Sequence, residues 1–191
     1  YGTQAEKGII PAVKALGDKI DFKVRFVYYA MHGEKEVNEE ARQYCIQKEQ
    51  NNKFLDYLTC FLKNGESEPC LTEAKIDVMK MDNCVKEADT EFEISANLKD
   101  KSKWSNGQFP KFNADAELNT KYNVGGSPTL VVNGVQAQSN RDSASFLSTI
   151  CNSFNKVPGA CNNELSSAQP SPGFGYSESA SATAASAGCG T

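Results

Sequence analysis

Seven cysteines are the residues of this chain most able to do chemistry. His32 is the only histidine and no two cysteines form a C-x-x-C pair, so the sequence predicts no metal site. All but the last cysteine precede a Ser-rich C-terminal stretch, and their even number favours disulfides over buried free thiols. We therefore expect an extracytoplasmic protein, which means secreted, lumenal or at a cell surface. The seven are Cys45, Cys60, Cys70, Cys84, Cys151, Cys161 and Cys189.

Charge and hydropathy argue against two classes of partner. The chain has 20 Lys and Arg against 24 Asp and Glu, a formal charge of −4. It has no strongly basic stretch, so we expect no nucleic-acid partner. It also has no run of about 18 apolar residues, so we expect no membrane span in this chain. We expect no cofactor. His32 has no evident Ser or Cys partner, which favours a loop or capping role over a catalytic base.

The segment from Val124 to Gly134, V-G-G-S-P-T-L-V-V-N-G, combines turn and strand signals. Ser127-Pro128 is a candidate cis peptide bond at the entrance to a strand, where the missing N–H of proline costs least. The β-branched and apolar run that follows favours an extended chain, and Asn133-Gly134 predicts a hairpin turn. For the segment alone, an ordinary loop with a trans proline is the alternative.

Two elements are predicted before the cysteine-rich part of the chain. Apolar residues at helical spacing predict a helix over residues 3–17, with a kink or restart at Pro11. Strict alternation of apolar and polar residues predicts a strand over residues 20–29 with one buried face.

A charged helical block is predicted over residues 34–103. We expect a break at Asn51-Asn52, a loop over residues 64–69 and a helix capped by Asp77. After an irregular stretch, short helices are expected over residues 114–122 and 143–154, on either side of the hairpin.

The composition changes after about Asn163. Residues 164–191 are rich in Ser, Ala and Gly and contain no Lys or Arg. Such a segment buries too little apolar surface to offset its ordering entropy, so we expect a disordered C-terminal tail. Cys189 on that tail is unpaired, intermolecular or an attachment point, and the sequence does not distinguish these.

This order of elements resembles the thioredoxin-fold thiol oxidoreductases of the DsbA-like kind. More narrowly, the chain is similar to the gamma-interferon-inducible lysosomal thiol reductase family and to the thioredoxin-like part of plant vacuolar sorting receptors. The stretch Met31 to Glu36 partly matches the signature C-Q-H-G-x-x-E-C, with Ala30 and Val37 in place of its two cysteines. The main resemblance lies in the cysteine contexts Q-Y-Cys45-I, L-T-Cys60-F, P-Cys70-L, N-Cys84-V, T-I-Cys151-N and G-A-Cys161-N.

The resemblance implies an α/β architecture, with a thioredoxin-like domain over residues 1–163. Residues 34–103 are then a large helical insertion. The first strand, which pairs centrally and in parallel with residues 20–29, is missing from the chain.

The resemblance also implies a site. Tyr1-Gly2-Thr3 looks like the trailing end of a C-x-x-C-type redox motif at the start of the first helix, so the nucleophilic cysteine is expected just upstream of Tyr1. Gly2 then stands where the second cysteine would be. In the family, the residues around the proline offer backbone groups to an extended substrate. The implied substrate-binding residues are Tyr1, Ser127, Pro128 and Thr129, and the implied partners are protein or peptide thiols and disulfides.

Six cysteines allow many connectivities, of which we favour one as a hypothesis. Cys60 and Cys70 flank the loop over residues 64–69, so they would staple a helical hairpin. Cys45 would then pair with Cys84 across the helical block, and Cys151 with Cys161 at the last helix.

Two functions follow from the resemblance. The first is a thiol–disulfide oxidoreductase that acts on protein disulfides through the upstream cysteine motif. The second is a redox-inactive thioredoxin-fold module that binds an extended peptide. An unrelated disulfide-stapled helical protein is the third possibility.

Overall fold

A computed structural model describes residues 1–176 as a helical protein with a two-stranded antiparallel sheet. Short 3-10 turns cover Gly17–Lys19, Lys101–Lys103 and Gly159–Asn162. The helices are α1 (Gly2–Leu16), α2 (Glu34–Glu49), α3 (Asn51–Asn64), α4 (Ser67–Glu73), α5 (Val78–Phe92), α6 (Ile94–Lys99), α7 (Ala116–Lys121) and α8 (Ser143–Cys151), and the strands are β1 (Leu130–Val132) and β2 (Val135–Ala137).

Most of the predicted helices and the hairpin are confirmed. α1 continues through Pro11, and the carboxylate of Asp77 caps α5 by accepting a hydrogen bond from the N–H of Lys80 at 3.0 Å. In the hairpin, Val132 pairs with Val135 across Asn133-Gly134. The predicted loop over residues 64–69 is too long, because α4 already begins at Ser67.

The predicted strand over residues 20–29 is wrong as a regular strand. The segment is extended, but Tyr29 makes only an isolated bridge, to Lys111. Side chains take the place of a neighbouring strand: Gln47 on α2 both accepts from the N–H of Val24 and donates to its C=O, at 2.8 and 2.9 Å. Both backbone polar groups of Val24 are therefore satisfied without a sheet.

Polar side chains also hydrogen-bond the backbone of Phe26. One comes from α7 and the other from Asp115, the residue just before α7. Its N–H donates to the Asp115 carboxylate at 2.9 Å, and its C=O accepts from the Asn119 amide at 2.8 Å. Both polar side chains are buried. The extended segment thus stands at a fixed distance from the helix that leads towards the hairpin.

Two apolar clusters form the core, with α1 between them. Ile10 of α1 joins the larger cluster, which includes Phe26, Phe54 and Phe112. Other residues of α1, including Val13, belong to the second cluster, which contains residues of α8 and packs on partly buried Leu130 of β1. α1 therefore contributes apolar side chains to both clusters.

Three disulfides occur within residues 1–176, in the pairing of the sequence-based hypothesis. Cys45–Cys84 joins α2 to α5, and Cys60–Cys70 joins α3 to α4. Cys151–Cys161 joins the end of α8 to the following 3-10 turn. These bonds are compatible with a disulfide-containing protein of an oxidising, extracellular environment.

The expected start of the disordered tail at residue 164 is wrong. Residues 164–176, the C-terminal strap, lie across α1 and α3. The buried Lys7 ammonium donates to the carbonyls of Ser171 and Gly175, both at 2.6 Å, and the Phe174 ring meets the Phe61 ring edge-on at 5.4 Å. The carbonyls of these small residues accept hydrogen bonds from Lys7 and let the strap lie close to α1, so its composition did not prevent docking. The rest of the predicted tail, with Cys189, lies outside the described residues.

We expect Glu40→Gln on α2 to stabilise the protein at high pH. Within residues 1–176 the buried Oε2 of Glu40 has no hydrogen-bond partner. Burial, as the larger effect, and the nearby Glu36 charge together raise the pKa of Glu40 to about 9. The folded state therefore binds more protons than the unfolded state, and stability is lost as the pH rises from about 4.5 towards 9.

Urea unfolding at pH 5 and pH 8 measures this effect. The wild type should lose about 1 kcal/mol or more relative to Glu40→Gln between these two values, because Gln mimics the protonated acid. The exposed Glu87 on α5 provides the control variant, Glu87→Gln. Parallel pH profiles for Glu40→Gln and the wild type would contradict a buried, neutral Glu40.

Candidate functional site

The loop before β1 carries three of the four residues implied as substrate-binding. Ser127, Pro128 and Thr129 are all exposed, and the Ser127–Pro128 peptide bond is cis. The Thr129 hydroxyl donates to the carbonyl of Gly126 at 2.7 Å, which closes the loop on itself. We call residues 125–129 the proline loop.

The N-terminus of α1 lies directly against the proline loop. A Cβ built on Gly2 would stand 3.1 Å from Oγ of Ser127, its nearest neighbour. Gly2 and Ser127 are far apart in sequence, so the packing of α1 and α8 on β1 brings them together. The structure therefore places the start of α1 and the proline loop at one surface.

Tyr1 lies at this surface with 78 % of its area exposed. The Arg141 guanidinium stands over its ring, 4.6 Å from the centroid, and donates to Oε1 of Gln4 at 2.8 Å. The Gln4 amide in turn donates to the carbonyl of Pro170 in the C-terminal strap. Arg141 was missed by sequence reasoning, since it lies outside every motif and only precedes the Asp142 cap of α8.

The start of α1 is electrostatically positive. Its first turn contains no acidic residue, and no side chain caps it. The free N–H groups and the helix dipole favour a negative group at this position. The Arg141 cation next to Tyr1 acts in the same direction. A thiolate or a carbonyl oxygen is the kind of group such a position stabilises.

Glu6, one turn into α1, has a strongly raised pKa. Burial, as the larger effect, and the charge of Glu39 on α2 together raise the pKa of Glu6 to about 7. The N-terminal amino group of Tyr1 opposes these effects. The Glu6 carboxyl therefore gains or loses its proton near neutral pH.

The cysteines of the described region are not nucleophiles. All six are in disulfides, so none offers a thiolate at the proline loop. His32 is paired with a carboxylate of α2. Its Nδ1 lies 3.1 Å from Oε2 of Glu36, which also accepts from the His32 N–H. His32 therefore lies in the turn before α2, as expected of a loop residue, but it does not cap that helix, whose N-cap is Gly33 without a side-chain hydrogen bond.

The described part of the chain shows neither a metal site nor a membrane span. Residues 1–176 contain no group of His, Cys, Asp or Glu side chains arranged to hold a metal ion. In the same range no helix is both long and apolar enough to cross a bilayer. Comparison of the chain with protein-family models, with curated proteins and with solved structures finds no match.

Proposed function

We propose that the start of α1 and the proline loop form the polypeptide-binding wall of a thioredoxin-like thiol–disulfide site. The proposal rests on one observation above all, the approach of Gly2 to Ser127 Oγ. This contact places the uncapped N-terminus of α1 beside an exposed loop. The backbone groups of that loop could hydrogen-bond an extended peptide. A peptide bound along Ser127 and Thr129 would lie next to Tyr1.

The reaction we propose needs a cysteine just upstream of Tyr1. At that position the α1 dipole and the Arg141 cation would favour the thiolate. Its sulfur attacks one sulfur of a substrate disulfide, a mixed disulfide forms, and the other substrate sulfur leaves as a thiolate. With glycine at position 2, a second substrate thiol must release the enzyme, which makes disulfide exchange the natural outcome.

A second function is favoured by the cysteine pairing. Because all six cysteines of residues 1–176 are in disulfides, the described chain has no thiol for redox turnover. The same wall would then serve as a redox-inactive module that binds extended peptides. Both functions use Ser127 and Thr129, and they differ only in the upstream cysteine.

An added Cys-Pro ahead of Tyr1 tests the proposal. With Cys189→Ser in every variant, so that no other unpaired cysteine is present, we expect the chain itself to form no mixed disulfide with an unfolded, disulfide-bonded protein such as oxidised insulin. The Cys-Pro variant should form one about tenfold faster than a variant with the same Cys-Pro placed after Thr191, because the helix N-terminus activates the thiol. Mass spectrometry of acid-quenched samples measures the adduct.

Variants of the proline loop test peptide binding separately from the reaction of the added cysteine. Ser127→Arg should slow adduct formation by about tenfold, since a bulky side chain blocks the wall. Gln138→Arg, on an exposed position beyond β2, is the control. Equal rates for the two Cys-Pro placements would rule out the redox function. If Ser127→Arg also left peptide binding unchanged, the binding wall itself would be ruled out.

A further inference from the structure

The C-terminal strap connects three helices that are far apart in sequence. Its beginning reaches α8, where the Ala144 N–H donates to the carbonyl of Ser166 at 3.1 Å. Its end lies on α3, where the Gly175 N–H donates to the carbonyl of Leu62 at 2.9 Å. The strap also contacts α1. It is therefore positioned to act on the helix that begins at the proposed binding wall.

Gln4 of α1 hydrogen-bonds the strap and the wall at the same time. The residue is buried, with 9 % of its area exposed. Its Nε2 donates to the carbonyl of Pro170 in the strap at 2.7 Å, and its Oε1 accepts from the Arg141 guanidinium at 2.8 Å. Arg141 stands over the Tyr1 ring, 4.6 Å from the centroid. A continuous series of contacts thus runs from Pro170 to Tyr1.

The two partners fix the orientation of the Gln4 amide. A proline carbonyl can only accept a hydrogen bond, and a guanidinium can only donate one. Rotation of the amide by half a turn would set Nε2 against the Arg141 cation and Oε1 against the Pro170 carbonyl, so both contacts would become repulsive. When the strap leaves, water reaches Gln4, its side chain gains rotamer freedom, and its bond to Arg141 has to compete with water.

The side chain of Arg141 is the part of this residue that depends on the strap. Its backbone is packed on α1, since a Cβ built on Gly8 would overlap the Arg141 carbonyl oxygen. Within residues 1–176 the guanidinium has no carboxylate partner, so the bond to Gln4 and the ring of Tyr1 hold it in place. Loss of the Gln4 bond would leave the guanidinium free to move away from the ring.

We propose that docking of the strap strengthens polypeptide binding at the wall, with Gln4 as the positioning residue that couples the two. The docked strap orients Gln4, Gln4 holds the Arg141 guanidinium, and the guanidinium holds the Tyr1 ring. A wall that is ordered in advance loses less conformational entropy when a peptide binds. This inference rests on the proposed binding function, but the effect of the strap on Tyr1 can be measured without any peptide.

The coupling has to be reciprocal. If undocking of the strap weakens peptide binding about fivefold, bound peptide must favour the docked strap by the same factor. Hydrogen exchange of the Gly175 N–H, which is bonded to Leu62, measures how often the strap opens. We expect this exchange to slow about fivefold when the chain is saturated with the reduced and alkylated B chain of insulin, an extended polypeptide without thiols.

Phe174→Ala opens the strap at its other end. The Phe174 ring packs edge-on against Phe61 of α3, so the change leaves the side chains of Gln4 and Arg141 intact. We expect faster exchange of the Gly175 N–H, shifted NMR signals of the Tyr1 ring in the free chain, and peptide binding weakened by up to about fivefold. The control is Met79→Ala, at a methionine of α5 that is 74 % exposed.

Gln4→Glu distinguishes coupling from a merely structural role of the strap. Glutamate keeps an acceptor for Arg141, but its carboxylate has no N–H to donate to Pro170. In this background we expect Phe174→Ala to shift neither the Tyr1 signals nor the peptide affinity. If Phe174 acted only through general stability, its replacement would weaken peptide binding equally in both backgrounds.

Several results would overturn the proposal. Tyr1 signals that stay unchanged in Phe174→Ala, despite faster exchange of the Gly175 N–H, would show that the strap does not act on the wall. Unchanged exchange in Phe174→Ala, or in the wild type with bound peptide, would be equally decisive. Absence of peptide binding to the wild type would refute the binding wall and this inference together. Tyr1 signals that still followed the strap would then assign the failure to the wall and not to the coupling.

Discussion

Replacement of Gly8 by alanine is expected to destabilise the protein by about 3 kcal/mol, although the change adds one methyl group. A Cβ at this position would overlap the carbonyl oxygen of Arg141, and it would lie 2.9 Å from the carbonyl carbon and 3.2 Å from the Phe146 ring. Two of these three neighbours are backbone atoms, which cannot move away as a side chain does. α1 and the start of α8 would have to separate.

The expected loss of stability in Gly8→Ala is opposite in sign to the change that helix propensity alone would give. In a solvent-exposed helix, Gly→Ala stabilises by about 1 kcal/mol. A loss of stability at Gly8 therefore reports the close approach of α1 to residue 141. Because Arg141 also stands over Tyr1, the same variant should disturb the proposed binding wall.

Urea unfolding measures the change, with Gly159→Ala as the control. Nothing lies within 4 Å of a Cβ built on Gly159, so we expect that variant to change the free energy of unfolding by less than about 0.5 kcal/mol. A Gly8→Ala variant as stable as the wild type would show that α1 does not approach residue 141 in solution.

Removal of the Cys45–Cys84 disulfide should have the largest effect of all. The bond closes a loop of sequence separation 39, so Cys45→Ala together with Cys84→Ala should cost about 4 kcal/mol in the chain-entropy model. Both cysteines are almost fully buried, and loss of their packing adds to this. Much of the stability of a small domain would be lost.

Comparison of disulfide variants isolates the role of the long loop. Cys60–Cys70 closes a separation of 10, so its double-alanine variant should cost about 3 kcal/mol. Guanidinium unfolding of both variants gives the two values. A Cys45/Cys84 variant that is more stable than the Cys60/Cys70 variant would contradict the predicted order. Mapping of free thiols under non-reducing conditions checks the pairing itself.

Local signals predicted the elements of this protein well. Asn133-Gly134 forms the expected turn, and Asp77 caps the expected helix, because each depends on residues close in sequence. The position of Cys60 and Cys70 on either side of a short connection was enough to suggest their pairing. The α/β prediction is supported only as a helical protein with a small hairpin.

Contacts between distant residues were not predictable. Residues 20–29 have the alternation of a strand, but alternation does not show whether a second strand lies alongside. Here the side chains of Gln47 and Asn119 satisfy the backbone of this segment instead. Likewise, the polar composition of the strap did not reveal Lys7, whose buried ammonium needs its carbonyls. The proline loop was found because its motif is local, whereas the position of Arg141 over Tyr1 depends on tertiary packing.

The C-terminal strap has a consequence for the order of folding. Its contacts with α1 join residues separated by 164 to 168 positions. The side chains of Gln4 and Lys7 can therefore form these hydrogen bonds only after almost the whole chain has been brought together. Closing so long a loop is entropically unfavourable until the rest of the core has formed. The strap should therefore be the last segment to assemble and the first to open in native-state hydrogen exchange. The first helix of the chain is completed by residues near its far end.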